Sequence, residues 1–158
     1  MPKLTIDNIP VEVPEGTSVL EAAQKAGIRI PTLCYLKDVQ AIGACRVCTV
    51  EIKGARTLVA SCSQPATEGM EVKTNTRRVR QARRTVVELL LSEHDGDCQT
   101  CNRSEDCELQ AVARELGVKD ITYPGAKAAR FRDTSTPALT RDTAKCIACR
   151  RCVTVCNN

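Results

Sequence analysis

The chain has 158 residues, with eleven cysteines, one histidine, three aromatic residues and a formal charge of +4 at pH 7. So few large apolar side chains bury little area, and such small domains usually need disulfides or metal to stabilise them. The basic excess does not indicate a nucleic-acid partner, because aromatic residues for base stacking are scarce and no DNA- or RNA-binding motif is present. No signal peptide and no membrane-spanning apolar run is visible, so we expect a cytoplasmic chain with reduced thiols.

The N-terminal half predicts a small mixed sheet with one helix. Residues 3–13 predict a hairpin that turns at Asp7-Asn8. A helix is predicted to follow, and Ser18 and Glu21 have the spacing of a capping box at its start. Strands are predicted over residues 49–52, 58–60 and 70–72. This order is typical of an α+β fold.

Two further helices and a connector are predicted after the sheet. The first helix spans residues 76–93, and its apolar residues recur at i, i+3, i+4 and i+7. Its five arginines are interpreted as a solvent-exposed face, or alternatively as a docking surface for an acidic partner. The second helix spans residues 105–116, and residues 118–143 are predicted to be a connector with little regular structure. The five arginines of the first of these helices are Arg77, Arg78, Arg80, Arg83 and Arg84.

The cysteines form three blocks whose spacing indicates metal binding. An odd number of cysteines fits a complete disulfide framework poorly, and the reducing compartment disfavours disulfides. Spacing of this kind is typical of iron–sulfur clusters. The first block is Cys34, Cys45, Cys48 and Cys62; the second is His94, Cys98, Cys101 and Cys107; the third is Cys146, Cys149, Cys152 and Cys156.

In the first block, one C-x₂-C pair lies between two more distant cysteines, which predicts a [2Fe–2S] site. The alternative is a Cys₄ zinc site, although such sites usually pair two C-x₂-C motifs. The loop before the pair contains Gly43, which can take positive φ and allows backbone N–H groups to approach the cluster sulfides.

In the second block, His94 lies where a C-x₂-C motif and one further cysteine lack a fourth ligand, so we predict that it binds metal. Both a [4Fe–4S] cluster and a structural Cys₃His zinc site remain open from the residues alone.

The third block has the C-x₂-C-x₂-C-x₃-C spacing of bacterial ferredoxins, whose fourth cysteine binds a different cluster. Cys156 is therefore predicted to bind a cluster other than that of Cys146, Cys149 and Cys152. The sequence stops at Asn158 without the partner run, so we expect a truncated ferredoxin-type domain. A single cluster bound by all four cysteines is the alternative. Another is a redox-sensing or metal-loading role for this block.

Residues 1–75, with Val13-Pro14-Glu15-Gly16-Thr17 and the four first-block cysteines, resemble a known N-terminal [2Fe–2S] ferredoxin domain. That domain is shared by [FeFe]-hydrogenases, NAD-dependent formate dehydrogenases and the peripheral-arm subunit of respiratory NADH dehydrogenase. The stretch HDGDCQTCNRSEDCELQ is similar to the His-Cys₃ [4Fe–4S] motif of the same enzymes. The CIACRRCVTVCNN segment most resembles multi-cluster, NAD(P)-linked, electron-bifurcating [FeFe]-hydrogenases.

The resemblance implies a β-grasp [2Fe–2S] domain over residues 1–75 and a helical His-Cys₃ [4Fe–4S] domain over residues 76–117. The connector spans residues 118–143, and the start of a ferredoxin-type domain spans residues 144–158. It implies an electron-transfer module between a flavin- and NAD(P)-binding partner subunit and a hydrogen-activating domain outside these residues. The same module in a formate dehydrogenase is the alternative, and a zinc-binding interaction module is the alternative of a different class. No catalytic residue is predicted here.

Overall fold

A computed structural model describes residues 1–39, 41–127 and 129–157. The chain divides into two compact units. The first unit contains Met1–Arg83 together with the C-terminal segment Arg150–Asn158, and the second contains Arg84–Cys149. Both helices and strands are present, which confirms the predicted mixed α+β class.

The first unit contains a five-stranded sheet in the order β2-β1-β5-β3-β4. Strand β1 pairs antiparallel with β2 and parallel with β5, in a register that places Thr5 opposite Glu71. Strand β3 pairs antiparallel with both β5 and β4. The strands are β1 (Lys3–Ile6), β2 (Ile9–Glu12), β3 (Thr49–Ile52), β4 (Val59–Ala60) and β5 (Glu71–Lys73).

Local turn and cap signals act as predicted in this unit. Asp7 and Asn8 both have positive φ, of 47° and 71°, as a tight type I′ hairpin turn requires. Helix α1 (Val19–Lys25) begins after Ser18, whose hydroxyl accepts from the Glu21 N–H while the Glu21 carboxylate accepts from the Ser18 N–H. The predicted capping box is therefore confirmed.

The core of the first unit lies between the sheet and α1. Leu20 and Ala23 on α1 are fully buried, as are Ile6 and Val50 on the sheet. Cys48 and Cys62 belong to the same apolar cluster. The cysteine-bearing loops are therefore anchored directly on the core of the unit.

Helix α2 (Arg77–Glu93) follows the sheet, and the boundary between the two units falls within it. Val79 and Val87 are fully buried, as the apolar pattern predicts. The interpretation of all five arginines as solvent-exposed is wrong for Arg83, which is only 6% exposed. Its guanidinium donates to the Thr49 carbonyl oxygen from Nε at 3.1 Å and from Nη2 at 2.7 Å. Spacings of four residues place Arg83 on one helix face with the two valines.

The second unit contains helix α3 (Glu108–Glu115), which begins three residues later than predicted. Its N-cap residue is Cys107, whose backbone is extended. Leu109, Val112 and Ala113 are buried on one face of the helix. The helix ends at Glu115, with Leu116 as its C-cap, and Gly117 follows with a φ of +66° and donates its N–H to the Arg114 carbonyl at 3.1 Å.

The predicted connector carries more structure than its composition indicates. Strands β6 (Arg132–Asp133) and β7 (Arg141–Asp142) pair antiparallel and lead into a turn of 3-10 helix at Thr143–Lys145. Gly125 packs so closely on Ser92 that a Cβ there would lie 2.6 Å from the Ser92 carbonyl oxygen. The connector is therefore an integral part of the second unit.

The C-terminal segment of the first unit forms helix α4 (Arg151–Asn157), which lies beyond the last predicted helix. Within residues 1–39, 41–127 and 129–157, no helix combines the length and apolar character needed to cross a bilayer.

Candidate metal centres

The first cysteine block is buried in the first unit. Cys34 and Cys45 lie in the loop between α1 and β3, Cys48 directly precedes β3, and Cys62 follows β4. Their exposed fractions are all between 1% and 7%. The β3–β4 pair brings the last two together, since Ser61 donates to the Cys48 carbonyl from its N–H at 3.2 Å and from its hydroxyl at 2.8 Å. The fold thus gathers four cysteines from distant parts of the sequence.

The four thiols contact one another in a continuous set. Cys34 contacts both Cys45 and Cys62, and Cys48 contacts Cys62. Hydrogen bonds from the Cys45 and Cys62 thiols hold the pKa of Cys34 far below its usual range. The hydrogen bond from Cys62 likewise lowers the pKa of Cys48 to about 6, whereas the protons that Cys45 and Cys62 donate raise their own pKa values. The cluster of sulfurs therefore favours partial thiolate character, which is the form that binds metal.

The backbone around the first block also fits an iron–sulfur group. The Cys45 N–H donates to the Cys34 sulfur at 3.5 Å, and the Ala44 N–H also donates to that sulfur. Gly43 has a φ of +61°, and a Cβ there would lie 3.2 Å from the Ser63 hydroxyl oxygen. Because N–H groups that point at sulfur stabilise its negative charge, this loop suits a cluster bound by four thiolates.

The second block lies on the loop between α2 and α3 and is more exposed. His94, Cys101 and Cys107 are half-buried, and Cys98 is exposed. The Cys98 N–H donates to the Gly96 carbonyl at 2.9 Å, and the Cys101 N–H donates to the Cys98 carbonyl at 3.3 Å. The loop therefore contains tight turns at its first two cysteines, and its third cysteine, Cys107, is the N-cap residue of α3.

His94 uses one ring nitrogen within its own loop. Its Nδ1 accepts a hydrogen bond from the Gly96 N–H at 3.2 Å, which assigns the ring proton to Nε2. The connector packs on the same residues, because Lys127 donates to the His94 carbonyl oxygen and Arg130 pairs with Asp95. Binding of iron by His94 would therefore break this hydrogen bond in either case. Nδ1 would bind the metal itself, or Nε2 would bind it after its proton moved to Nδ1, which then could not accept from Gly96.

The third block is divided between the two units. Cys146 and Cys149 belong to the second unit, and Cys152 and Cys156 lie four residues apart on α4. Cys146, Cys152 and Cys156 are exposed, and Cys149 is half-buried. The Ala148 N–H donates to the Cys146 sulfur at 3.4 Å. Ala148 and Arg150 have positive φ values of 52° and 61°, so the loop turns tightly around this sulfur.

All eleven cysteines are free thiols. Across the described ranges, no three His, Cys, Asp or Glu side chains are grouped as ligands of a single metal ion would be. The fold brings the thiols of the first block into contact. The ligands predicted for the second block lie on one loop, but among the described residues they are not grouped around a common point. Two contacts near the first block were missed by sequence reasoning: Ser61 binds the Cys48 carbonyl, and Arg83 binds the carbonyl of Thr49, the residue after Cys48. The i, i+4, i+8 spacing of Val79, Arg83 and Val87 is the signal that could have identified Arg83.

Two known families match consecutive parts of the chain. Residues 2–77 match a 2Fe-2S iron-sulfur cluster binding domain. Residues 83–122 match the NADH-ubiquinone oxidoreductase-G iron-sulfur binding region. The predicted [2Fe–2S] and [4Fe–4S] cofactors are therefore confirmed at the level of these domains.

Several relatives align with nearly the whole chain. The HndD subunit of the NADP-reducing hydrogenase of Solidesulfovibrio fructosivorans is 47% identical over 98% of the chain, which spans 27% of that protein. The G 2 subunit of the NADH-quinone oxidoreductase of Rhizobium meliloti is 38% identical over 99% of the chain, which spans 18% of it. The gamma subunit of the NAD-reducing hydrogenase HoxS of Cupriavidus necator is 34% identical over 96% of the chain, which spans 64% of it.

A solved structure of an NAD⁺-reducing [NiFe]-hydrogenase in its H₂-reduced state matches 97% of the chain, with 36% identity and a TM-score of 0.89, and the chain covers 64% of that structure. The chain thus spans less than two thirds of each of these relatives. The resemblance stated from the sequence is confirmed: this chain carries a 2Fe-2S cluster binding domain followed by an NADH-ubiquinone oxidoreductase-G iron-sulfur binding region, and its homologues are subunits of NAD(P)-reducing hydrogenases and of NADH-quinone oxidoreductases.

Proposed function

We propose that this chain is an electron-transfer module of an NAD(P)-linked hydrogenase. The buried, mutually contacting thiols of the first block are the observation that carries the proposal. When bound, iron–sulfur clusters of this kind accept and release single electrons, which is the chemistry that such a module needs. The protein holds the thiols, donates N–H groups to their sulfurs and excludes water from the first block.

The ligand sets are part of the proposal. Cys34, Cys45, Cys48 and Cys62 would hold a [2Fe–2S] group on a β-grasp domain over residues 1–75. His94, Cys98, Cys101 and Cys107 would hold a [4Fe–4S] group on a domain over residues 76–117. Cys146, Cys149 and Cys152 would bind a further [4Fe–4S] group, with Cys156 directed to another cluster.

The partner subunits that we propose are those expected for an NAD(P)-linked hydrogenase. We infer that electrons pass between a flavin- and NAD(P)-binding partner subunit and a hydrogen-activating domain outside these residues. The identity of 47% to the NADP-reducing hydrogenase relative, against 38% for the NADH-quinone oxidoreductase relative, favours a hydrogenase as the parent. The free thiols suit a reducing compartment, so we place the protein in the cytoplasm.

Anaerobic purification followed by metal and sulfide analysis tests the proposal. We expect a brown protein with about six irons per chain if the first two blocks assemble, and about ten if the third also does. Reduction should produce two EPR signals that differ in temperature dependence, because the [2Fe–2S] signal persists at temperatures where [4Fe–4S] signals broaden. A colourless protein that contains zinc and no acid-labile sulfide would instead support an interaction module.

Replacing His94 with cysteine tests the second ligand set. A thiolate in place of a neutral imidazole makes the cluster more negative, so we expect the His94→Cys variant to keep its iron but to show a lower midpoint potential. EPR-monitored redox titration measures this shift, and the [2Fe–2S] signal of the same sample is an internal control. An unchanged or higher potential for the [4Fe–4S] signal would contradict this electrostatic account of the imidazole.

A further inference from the structure

Two arginines outside the sequence range of the 2Fe-2S domain bind backbone carbonyls beside first-block cysteines. Arg83 on α2 donates to the carbonyl oxygen of Thr49, the residue after Cys48. Arg151 on α4 donates from Nη2 to the carbonyl oxygen of Tyr35, the residue after Cys34, at 3.2 Å. In both cases a guanidinium binds the carbonyl oxygen of the residue that directly follows a predicted iron ligand.

The Arg83 contact is buried, which gives its charge a large effect. Arg83 is 6% exposed, and Thr49 beside it is 8% exposed. A guanidinium stays protonated in any protein environment. Screening by water is weak in such a site, so a positive charge there stabilises added negative charge on neighbouring groups more than a surface charge would.

The Arg151 contact joins two cysteine blocks. Arg151 lies between Cys149 and Cys152 of the third block, and its side chain reaches Tyr35 across 116 residues of sequence. Arg151 is half-buried, whereas its neighbour Arg150 is exposed. The carbonyl of the residue after Cys34 is thus held by a residue of a different predicted cluster motif.

We propose that Arg83 and Arg151 are positioning residues that raise the reduction potential of the [2Fe–2S] site formed by the first block, an inference that rests on the proposed function. Each guanidinium fixes the carbonyl of the residue after a ligand cysteine, and its positive charge is thereby held on the backbone segment that carries the ligand. The added electron of the reduced state is then stabilised relative to the oxidised state. Residues beyond position 77 therefore set the potential of a site whose ligands all precede it.

Redox titration of the [2Fe–2S] EPR signal in charge-removing and charge-keeping variants of the full chain tests this inference. We expect the midpoint potential to shift to more negative values in Arg83→Gln and to stay near the wild-type value in Arg83→Lys. Arg80→Gln is the matched control, because Arg80 lies on the same helix and donates to the Asn75 carbonyl at 2.8 Å but is exposed. This control should keep the wild-type potential.

The Arg151→Gln variant, with Arg150→Gln as its control, keeps the test valid if Arg83→Gln fails to fold. We expect a negative shift for Arg151→Gln only. A purely structural role predicts lower unfolding stability with an unchanged potential, and that result, or an equal shift in the controls, would overturn the inference. Iron and sulfide analysis of the wild-type protein comes first. Absence of a [2Fe–2S] cluster there refutes the proposed function itself, whereas a normal cluster with insensitive potentials refutes only the role of the arginines.

Discussion

Replacing Cys48 with alanine should remove about two irons per chain and abolish the [2Fe–2S] EPR signal. Cys48 is 1% exposed, and its thiol contacts that of Cys62 within the buried sulfur cluster. A missing ligand leaves the metal open to solvent at a site where metal binding and folding are coupled. The loss should therefore also lower the thermal stability of the first unit, which circular dichroism can measure.

The reciprocal variant Cys101→Ala is the matched control for Cys48→Ala. It should remove about four irons and the [4Fe–4S] signal of the second block, but leave the [2Fe–2S] signal intact. Each variant thus reports on one block while the other remains as a reference. If Cys101→Ala also removed the [2Fe–2S] signal, or if Cys48→Ala left it in place, the separate ligand sets would be wrong.

Truncation of Leu20 to alanine should destabilise the first unit by about 2–5 kcal/mol. Leu20 is fully buried and belongs to the apolar cluster that includes Cys48 and Cys62. Its N–H also donates at 3.0 Å to the carbonyl of Ser61, which precedes Cys62. A cavity at this position should therefore both lower the free energy of unfolding and speed the loss of iron from the first block to a chelator.

Ile9→Ala is the control for Leu20→Ala, because Ile9 is an apolar residue of the same unit, on β2, but is 44% exposed. This control should lower the free energy of unfolding by about 1 kcal/mol or less and leave the rate of iron loss unchanged. Urea unfolding followed by circular dichroism measures the free energy of unfolding. Visible absorbance after chelator addition measures the rate of iron loss. Equal effects of the two variants would show that the core under α1 does not support the cysteine loops.

Signals that depend on near neighbours could be predicted from the sequence. The turn at Asp7-Asn8 and the cap formed by Ser18 and Glu21 depend on residues at most three positions apart, and both occur as predicted. The cysteine spacing grouped the first-block residues, and their thiols do contact one another, because metal ligation restricts which residue types and loop lengths can converge. Their role as iron ligands stays a prediction.

Long-range contacts could not be predicted in this way. The Arg83 side chain reaches Thr49 across 34 residues of sequence. Its spacing with Val79 and Val87 could indicate which helix face it shares, but no local pattern could identify the carbonyl that it binds. The short hairpin of β6 and β7 was also missed, because strands of two residues have no measurable periodicity. Helix α3 begins late because Cys107, placed inside the predicted helix, instead takes an extended backbone at its N-cap.

The parallel pairing of β1 with β5 has a consequence for biosynthesis. The four first-block cysteines lie in sequence between these two strands, so the sheet cannot close until residue 73 has been made. At a translation rate of about 5–20 residues per second, the Cys34 thiol is synthesised about 2–8 seconds before that point. The first-block thiols are therefore synthesised before the strand that completes the sheet, and the buried sulfur cluster can form only after synthesis has passed β5.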